Sequence, residues 1–325
     1  MANARQSDDR GDCVFCGSRD SRPAYPVDDI FGHRFTLVRC AGCRAFFLSP
    51  RPDRKMLAMA YDDSYYGKGE EKFSPAVEKV LDLFRRGRSA WLRRNLKSGA
   101  SLLDVGCGNG KFLKFLSRYG KYRLFGTELE GNSARRAARI PGITLKIGGL
   151  KPDDFAPRSL DAVTLFHVFE HLEEPRKTLE IVSTILKKDG VLVMSFPNID
   201  SFQSRLFKGR WLHLDPPRHL FFFAPKDFVP MMEGYGFRLV RRRFSSLEQN
   251  PFGAAQSMLN MVLKKREVLF ERLKGNLQYG REYSGFSVFC QKVFAALALP
   301  FLVVTDLAAS ALGKGATVEF TFRKT

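Results

Sequence analysis

The chain has 325 residues, 44% of them hydrophobic, and a formal net charge of +19. That size and apolar content support one large or two modest domains with a sizeable core, which excludes a globally disordered chain. The charge points to an anionic partner such as nucleic acid, acidic lipid or a phosphate-bearing substrate. The basic runs Arg85-Arg86-Gly87-Arg88, Arg93-Arg94, Arg135-Arg136, Arg241-Arg242-Arg243 and Lys264-Lys265-Arg266 are dispersed, however, and any one of them reads equally well as a solvated face.

Residues 1–11 are polar and expected to be a disordered tail. No apolar signal peptide opens the chain, so a cytoplasmic location is expected. Residues 12–50 carry two C-x-x-C pairs, Cys13/Cys16 and Cys40/Cys43, with 23 residues between them. Each pair can present two thiolates to one tetrahedral ion, so a ribbon around structural Zn2+ is expected; two disulfides do not suit a cytosolic chain. Residues 51–98 read as a helical connector: Leu57, Ala60 and Tyr61 lead to the aromatic pair Tyr65-Tyr66, and a helix spans Pro75 to Leu96 with Val77, Val80, Leu81, Phe84 and Trp91 on its apolar side.

An α/β core is expected over residues 99–245, completed by a final strand in 316–325. Strands are predicted at 101–105, 123–129, 143–147, 160–167, 191–197, 237–244 and 317–323, with helices at 111–118, 132–139, 175–187 and 226–233. Such alternation means a mostly parallel sheet covered on both faces. The first strand runs into Asp104-Val105-Gly106-Cys107-Gly108-Asn109-Gly110 and then directly into a helix. Glycines let the backbone turn tightly and let a ligand approach its N–H groups. A dinucleotide fingerprint reads G-x-G-x-x-G, whereas here the third glycine comes one residue early and an acid precedes the first. Glu128 ends the second strand 18 positions past Gly110, where a carboxylate can take both hydroxyls of a ribose.

The fourth strand ends at Phe166-His167-Val168-Phe169-Glu170-His171, and four of the five histidines, His167, His171, His213 and His219, fall between that point and residue 219. Ligands in such sheets lie outside the carboxyl ends of the strands, and histidine exchanges protons near neutral pH. These residues therefore read as cleft lining. His171 and His219 are the candidate bases, with Glu170 or Asp215 orienting one of them. The string His167-x-x-Glu170-His171 also spells a metalloprotease signature. That motif needs a continuous helix, and His167 is expected to end a strand.

The Asp104 to Gly110 loop with Glu128 resembles the first motifs of class I S-adenosylmethionine-dependent methyltransferases. The resemblance implies a Rossmann-like seven-stranded methyltransferase sheet whose last strand is antiparallel, and S-adenosylmethionine held by Asp104, Gly106, Cys107, Gly108, Gly110, Glu128, Leu129 and His167. Cys107 then serves as a small loop residue and not as a nucleophile. Asp153 and Asp154 are candidates for an adenine contact. Pro197-Asn198, Trp211 and Leu214-Asp215-Pro216-Pro217-Arg218-His219-Leu220 resemble bacterial small-molecule methyltransferases, and Glu170-His171 resembles ubiquinone-pathway O-methyltransferases, where it lies near the acceptor and in some near a divalent ion. The double knuckle with Tyr61 to Tyr66 resembles sugar C-methyltransferases that have a zinc-binding front domain.

A helical insert over 246–315, between the last two strands, departs from the sugar enzymes. It holds a basic amphipathic stretch, Ala254 to Leu273, and an uncharged run, Val293 to Thr305, followed by Asp306. The run is short of a bilayer span, and Pro300 is expected to kink it. The alternatives are a buried helix pair, a single span, or a kinked element dipping into one leaflet while Lys264, Lys265, Arg266, Arg272 and Lys274 meet anionic headgroups. The last is favoured. The expected function is methyl transfer to a small-molecule, sugar or lipid-linked acceptor, peripheral to the cytoplasmic membrane face. A nucleic-acid methyltransferase gripping RNA with the ribbon and its charge is the alternative; it lacks a base-stacking motif, since Asp215-Pro216-Pro217 is followed by Arg218 and not by an aromatic residue. A non-catalytic cofactor-binding scaffold is the third reading, and the histidine-rich cleft argues against it.

Overall fold

The computed structural model describes residues 12–61 and 75–325. The expected tail and the Tyr65-Tyr66 segment lie outside the described residues. Three antiparallel strands open the chain: β1 (Ser21–Asp28), β2 (Arg34–Cys40) and β3 (Phe46–Ser49). Helix α1 (Arg54–Ala60) follows, N-capped by the Asp53 carboxylate, which accepts from Met56 N at 2.8 Å. After α2 (Pro75–Leu92) the core alternates: β4 (Ser101–Val105), α3 (Lys111–Leu116), β5 (Arg123–Glu128), α4 (Asn132–Ala138), β6 (Ile143–Ile147), β7 (Leu160–Phe166), α5 (Pro175–Ile185) and β8 (Leu186–Pro197). Then come α6 (Phe202–Phe207), the short β9 (Phe221–Phe222), α7 (Pro225–Gly234), β10 (Phe237–Arg243), α8 (Asn250–Val262), α9 (Val268–Leu273), α10 (Gly285–Ala311) and β11 (Thr317–Lys324).

Seven strands form one sheet in the order β10-β11-β8-β7-β4-β5-β6. Only β11 is reversed, antiparallel to both β8 and β10. The expected strands and helices of the core all form. The central strands are buried on both faces, which is why Leu102-Leu103 and Val191-Leu192-Val193-Met194 read as continuous apolar runs without alternation. The strand order reverses between β4 and β7, whose flanking neighbours are β5 and β8, so the carboxyl edge there opens as a crevice.

The ribbon is stitched into the core. Phe221–Phe222 adds a fourth strand beside β3, pairing Phe46 with Phe222 and Phe47 with Phe221. Cys13, Phe15, Val38 and Phe47 share one apolar cluster with Phe169, Phe196 and Phe228. Phe15 meets Phe223 edge-on at 5.0 Å.

Two local expectations are corrected. On the expected apolar side of α2, Val77, Leu81, Phe84 and Trp91 are half-buried, but Val80 is exposed and Glu78 is buried. The reason is an ion pair at the start of α3, where Glu78 takes Lys111 Nζ at 3.1 Å and Arg85 Nη1 at 2.8 Å. Helix α10 continues through Pro300 as one element, and Ala295 and Leu302 on either side pack on Ala254, Ala255 and Leu259 of α8. Of the five cations expected at a headgroup surface, Arg266 and Lys274 are buried against Glu267 and Glu271, and Arg272 donates to the carbonyls of Leu277 and Gly280 at 2.7 and 3.1 Å. Only Lys264 and Lys265 are exposed, Lys265 with Glu282 at 2.7 Å.

Candidate active site

The glycine loop joins β4 to α3 with Gly106, Gly108 and Gly110 all at positive φ (66°, 58° and 72°). A Cβ on Gly106 would lie 2.5 Å from Val168 Cγ2, and one on Gly110 2.9 Å from Ile140 Cδ1. One on Gly108 would meet nothing within 4 Å. Close packing thus fixes the outer two glycines, and the middle one faces open space where a ligand can approach the backbone.

Glu128, buried at the end of β5, reaches back to this loop. Its Oε2 accepts from Gly108 N at 2.6 Å and its Oε1 from Leu129 N at 3.1 Å. Burial pushes its pKa up, opposed by those two amides. Asp104 accepts from Thr164 Oγ1 at 2.6 Å. Burial raises its pKa to about 7; Thr164 opposes the rise and the Glu128 charge adds to it. Cys107 is buried and its thiol is pushed far up by burial, which leaves it inert as a nucleophile. Leu129 is half exposed beyond β5. Asp154 is taken up by Lys146 Nζ at 3.0 Å and by Lys151 N at 2.8 Å, while Asp153 is exposed.

The histidines gather across the crevice, where β7 ends. His167 adopts φ 55°, and its N–H donates to Ser195 O on β8 at 2.8 Å. Its Nδ1 lies 3.4 Å from Glu170 Oε1. Glu170 is 1% exposed, and neither of its carboxylate oxygens has a hydrogen-bond partner among the described residues. Burial pushes its pKa up, and the nearby His219 and His171 pull it back. His171 Nδ1 sits 3.0 Å from Arg218 O and 2.9 Å from Tyr61 Oη. A carbonyl only accepts, so Nδ1 holds the proton and the lone pair lies on Nε2. The same logic applies to His219, whose Nδ1 lies 2.8 Å from His213 O. Its Nε2 faces Glu170 Oε1 at 3.9 Å and Asp215 Oδ2 at 3.8 Å.

The rings of His171 and His219 meet edge-on, centroids 4.5 Å apart. Burial and mutual repulsion hold His171 at about 4; burial lowers His219, against the pull of Asp215 and Glu170. Both rings are therefore neutral at pH 7 and able to accept a proton. Asp215 is clamped by buried Arg218, whose Nε lies 2.9 Å from Oδ2 while Nη2 holds Oδ1. Burial would raise Asp215, but the guanidinium holds it far below the usual carboxylate range. Arg218 also donates to Ala60 O at 3.1 Å, tying α1 to the site. Glu170, His171 and His219 offer donor atoms within 4.8 Å of one another, a set that could also hold a divalent cation. His213 stands apart: it packs on Trp211 at 5.4 Å, Gly253 of α8 closes on its Nε2, and burial lowers its pKa to about 3.

In the ribbon Cys13 Sγ lies 3.6 Å from Cys43 Sγ, and Cys16 Sγ 3.5 Å from Cys40 Sγ. A tetrahedral ion with ~2.3 Å metal–sulfur bonds has edges of about 3.75 Å, so the four thiols fit one such ion. Their knuckle turns are closed by Gly17 N to Cys13 O at 2.8 Å and Cys40 N to Ala45 O at 2.8 Å.

A cavity of about 250 Å³ lies at the carboxyl edge beside the histidines. Its lining includes the strand residues Phe166, His167, Ser195 and Thr317 and, around them, Arg88, Trp91, Arg241, Arg243 and Glu248. Arg88, Trp91, Arg241, Arg243 and Glu248 did not stand out from the sequence as site residues. The available signal was that one arginine run sits on the helix before the glycine loop and the other at the end of the sixth core strand.

The reversed final strand, the glycine loop and the strand-end acid define a class I methyltransferase fold. Residues 77–242 match a family described as a methyltransferase domain, and the chain belongs to that family. It is 26% identical over 171 residues to a probable S-adenosylmethionine-dependent methyltransferase of Mycolicibacterium smegmatis, covering 52% of this chain and 64% of that protein. It is also 26% identical over 187 residues to the ubiquinone biosynthesis O-methyltransferase of Dinoroseobacter shibae, covering 52% and 75%. The chain thus spans somewhat less than two thirds of the first of these relatives. Among solved structures, geranyl diphosphate C-methyltransferase from Streptomyces coelicolor aligns with TM-score 0.47 at 13% identity, covering 85% of this chain and 89% of that one.

Proposed function

We propose that this chain transfers the methyl group of S-adenosylmethionine to an oxygen or carbon of a small-molecule, sugar or lipid-linked acceptor at the cytoplasmic face of a membrane. The observation that carries the chemistry is the pair of neutral imidazoles, His171 and His219, beside Glu170 across the crevice from the glycine loop. The Gly106 to Gly110 backbone and Glu128 would hold the cofactor, and Leu129 would lie along it. Bound there, S-adenosylmethionine supplies a methyl already activated by its sulfonium. What remains for the chain is to orient the acceptor, exclude water and accept a proton. His219 Nε2 or His171 Nε2 accepts that proton, and Asp215 and Glu170 stabilise the imidazolium that forms. Zinc in the ribbon is structural, since four cysteines leave no open position.

The membrane reading rests on α10. This helix is long and apolar enough to cross a membrane, by length and composition alone. Phe286, Phe289, Val293, Leu297, Phe301, Val304 and Leu307 recur at helical spacing and all are exposed. The one acid, Asp306, turns inward and accepts from Asn250 Nδ2 at 2.8 Å, so the outward face from Val293 to Leu312 carries no charge. A face this long and apolar, on a chain with a charge of +19, suits an anionic leaflet. The nucleic-acid reading is less favoured because several basic residues are engaged internally: Arg85 with Glu78, Arg218 with Asp215, Arg266 with Glu267, and Lys274 with Glu271.

The test is co-sedimentation with anionic liposomes at low salt, paired with methyl-labelled cofactor and lipid extract read by mass spectrometry. Leu297→Glu with Phe301→Glu should abolish co-sedimentation, because each removes a side chain whose burial contributes about 1.5–3 kcal/mol. Full-length protein that stays in the supernatant refutes the membrane part and moves the search to soluble acceptors.

A further inference from the structure

The cavity at the carboxyl edge is richer in cations than a pocket for a neutral acceptor needs. Arg241 and Arg243 are two residues apart on β10 and so project to one face, about 6.6 Å apart along the strand. Arg241 stacks on the Trp91 ring at 4.9 Å, which leaves the edges of its guanidinium free. Arg243 donates through Nε to Ser245 Oγ at 2.9 Å. Among the described residues neither has a carboxylate partner. Arg88 lies deeper, over Phe166 at 5.1 Å, and is paired with Glu248. Glu319 is the other acid on the wall, so three guanidiniums face two carboxylates.

The location matters as much as the charge. His167 lines this cavity and lies 3.4 Å from Glu170 of the catalytic cluster, and Phe166, also in the lining, meets Phe112 of α3, just past the glycine loop, at 5.1 Å. The lining at Thr317 is tied to α10: Asn250 links Thr317 Oγ1 at 2.9 Å to Asp306 Oδ1 at 2.8 Å.

We propose that this cavity seats a diphosphate group carried by the methyl acceptor, with Arg241 and Arg243 gripping neighbouring phosphoryl oxygens and Arg88 supplying the deeper charge. The inference rests on the methyl-transfer reading above and specifies its substrate class. A single carboxylate is satisfied by one guanidinium fork; two forks set apart along a strand suit an anion with oxygens on two centres. Trp91, Phe84 and Leu83 then flank whatever apolar group the diphosphate bears.

The experiment titrates inorganic pyrophosphate into the full chain saturated with S-adenosylhomocysteine, at low salt, and follows tryptophan emission. The chain has two tryptophans; Trp211 is fully buried and Trp91 lines the cavity. A saturable change is expected, absent in Trp91→Phe although calorimetry still detects binding there. Arg241→Gln with Arg243→Gln should weaken pyrophosphate at least about tenfold with unchanged S-adenosylhomocysteine affinity, and malonate should bind at least about tenfold more weakly than pyrophosphate. Competition identifies the source: displacement by a nucleoside diphosphate indicates a nucleotide-borne acceptor, and displacement by a short prenyl diphosphate a lipid-borne one. The proposal is overturned by no saturable binding to the wild type at millimolar pyrophosphate, by equal malonate affinity, or by displacement with neither diphosphate. Should the double variant fail to fold, the wild-type titration decides alone. None of these readouts needs turnover, so a chain that methylates a neutral acceptor yet ignores pyrophosphate loses only this inference.

Discussion

Replacing Glu128 by alanine perturbs the proposed cofactor site at its most constrained point. The carboxylate already accepts from Gly108 N at 2.6 Å and Leu129 N at 3.1 Å, one bond to each oxygen. Each oxygen keeps a second lone pair, and a ribose diol can donate one hydroxyl to each. A hydrogen bond to a charged group contributes about 1.5–3 kcal/mol, so loss of the two ribose bonds should cost about 3–6 kcal/mol of binding. Even the lower figure is about a hundredfold in affinity. Glu128→Gln keeps the volume and one acceptor oxygen, and should lie between the two, at roughly ten- to thirtyfold. Isothermal titration with S-adenosylhomocysteine measures both, with circular dichroism checking that the variants fold. An affinity for Glu128→Ala within about threefold of wild type, in a folded protein, would refute the ribose assignment, because the loss would then be under about 0.7 kcal/mol.

Asp104 should make stability depend on pH. Its folded pKa of about 7 lies above its unfolded value, so the stabilising contribution is present at acid pH and is lost as pH rises through 7. Asp104→Asn should therefore gain melting temperature relative to wild type at pH 8 but not at pH 4; equal differences at both refute the shift. The value of about 4 for His171 means that its ring remains unprotonated well below the usual histidine range, and burial lowers His219 in the same direction. With His171 as the base, methyl transfer should stay flat from pH 8 down past 6.5 and fall only in more acid buffer, and a single inflection near 6.5 in kcat/KM would show that His171 is not the base. Elemental analysis should find about one zinc per chain, absent in Cys13→Ser. Chelation should lower the melting temperature through the ribbon; activity that stops while the ribbon stays folded would instead indicate a catalytic metal.

Much of this was legible because local chemistry alone constrains it. Three glycines at spacing two, a preceding acid and Glu128 lie within one strand–loop–helix–strand unit, so their relation is fixed by the chain itself. The paired cysteines, 23 residues apart, likewise need only a hairpin to meet. The parallel strands declared themselves as apolar runs because both of their faces are covered. The histidine cluster was visible as a concentration in sequence, but its division was not. His171, His219 and Glu170 converge, whereas His213 is sealed by Trp211 and Gly253, a distinction set by how α8 docks.

What only the tertiary structure decided concerns orientation between distant segments. Period alone puts Val80 on the buried side of α2, yet it is exposed and Glu78 is buried, reaching Lys111, 33 residues on. Asp306 appears to a reader of the sequence as a charge breaking an apolar run. Its inward bond to Asn250, 56 residues away, is what leaves the outer face of α10 uncharged. Arg88 and Arg241 belong to two arginine runs that look like solvated surface, and they share a cavity because α2 and β10 pack against the same end of the sheet. Composition and periodicity determine which elements form and which residues could do chemistry. Which faces meet is fixed by contacts between segments far apart in the chain, and no local pattern encodes them.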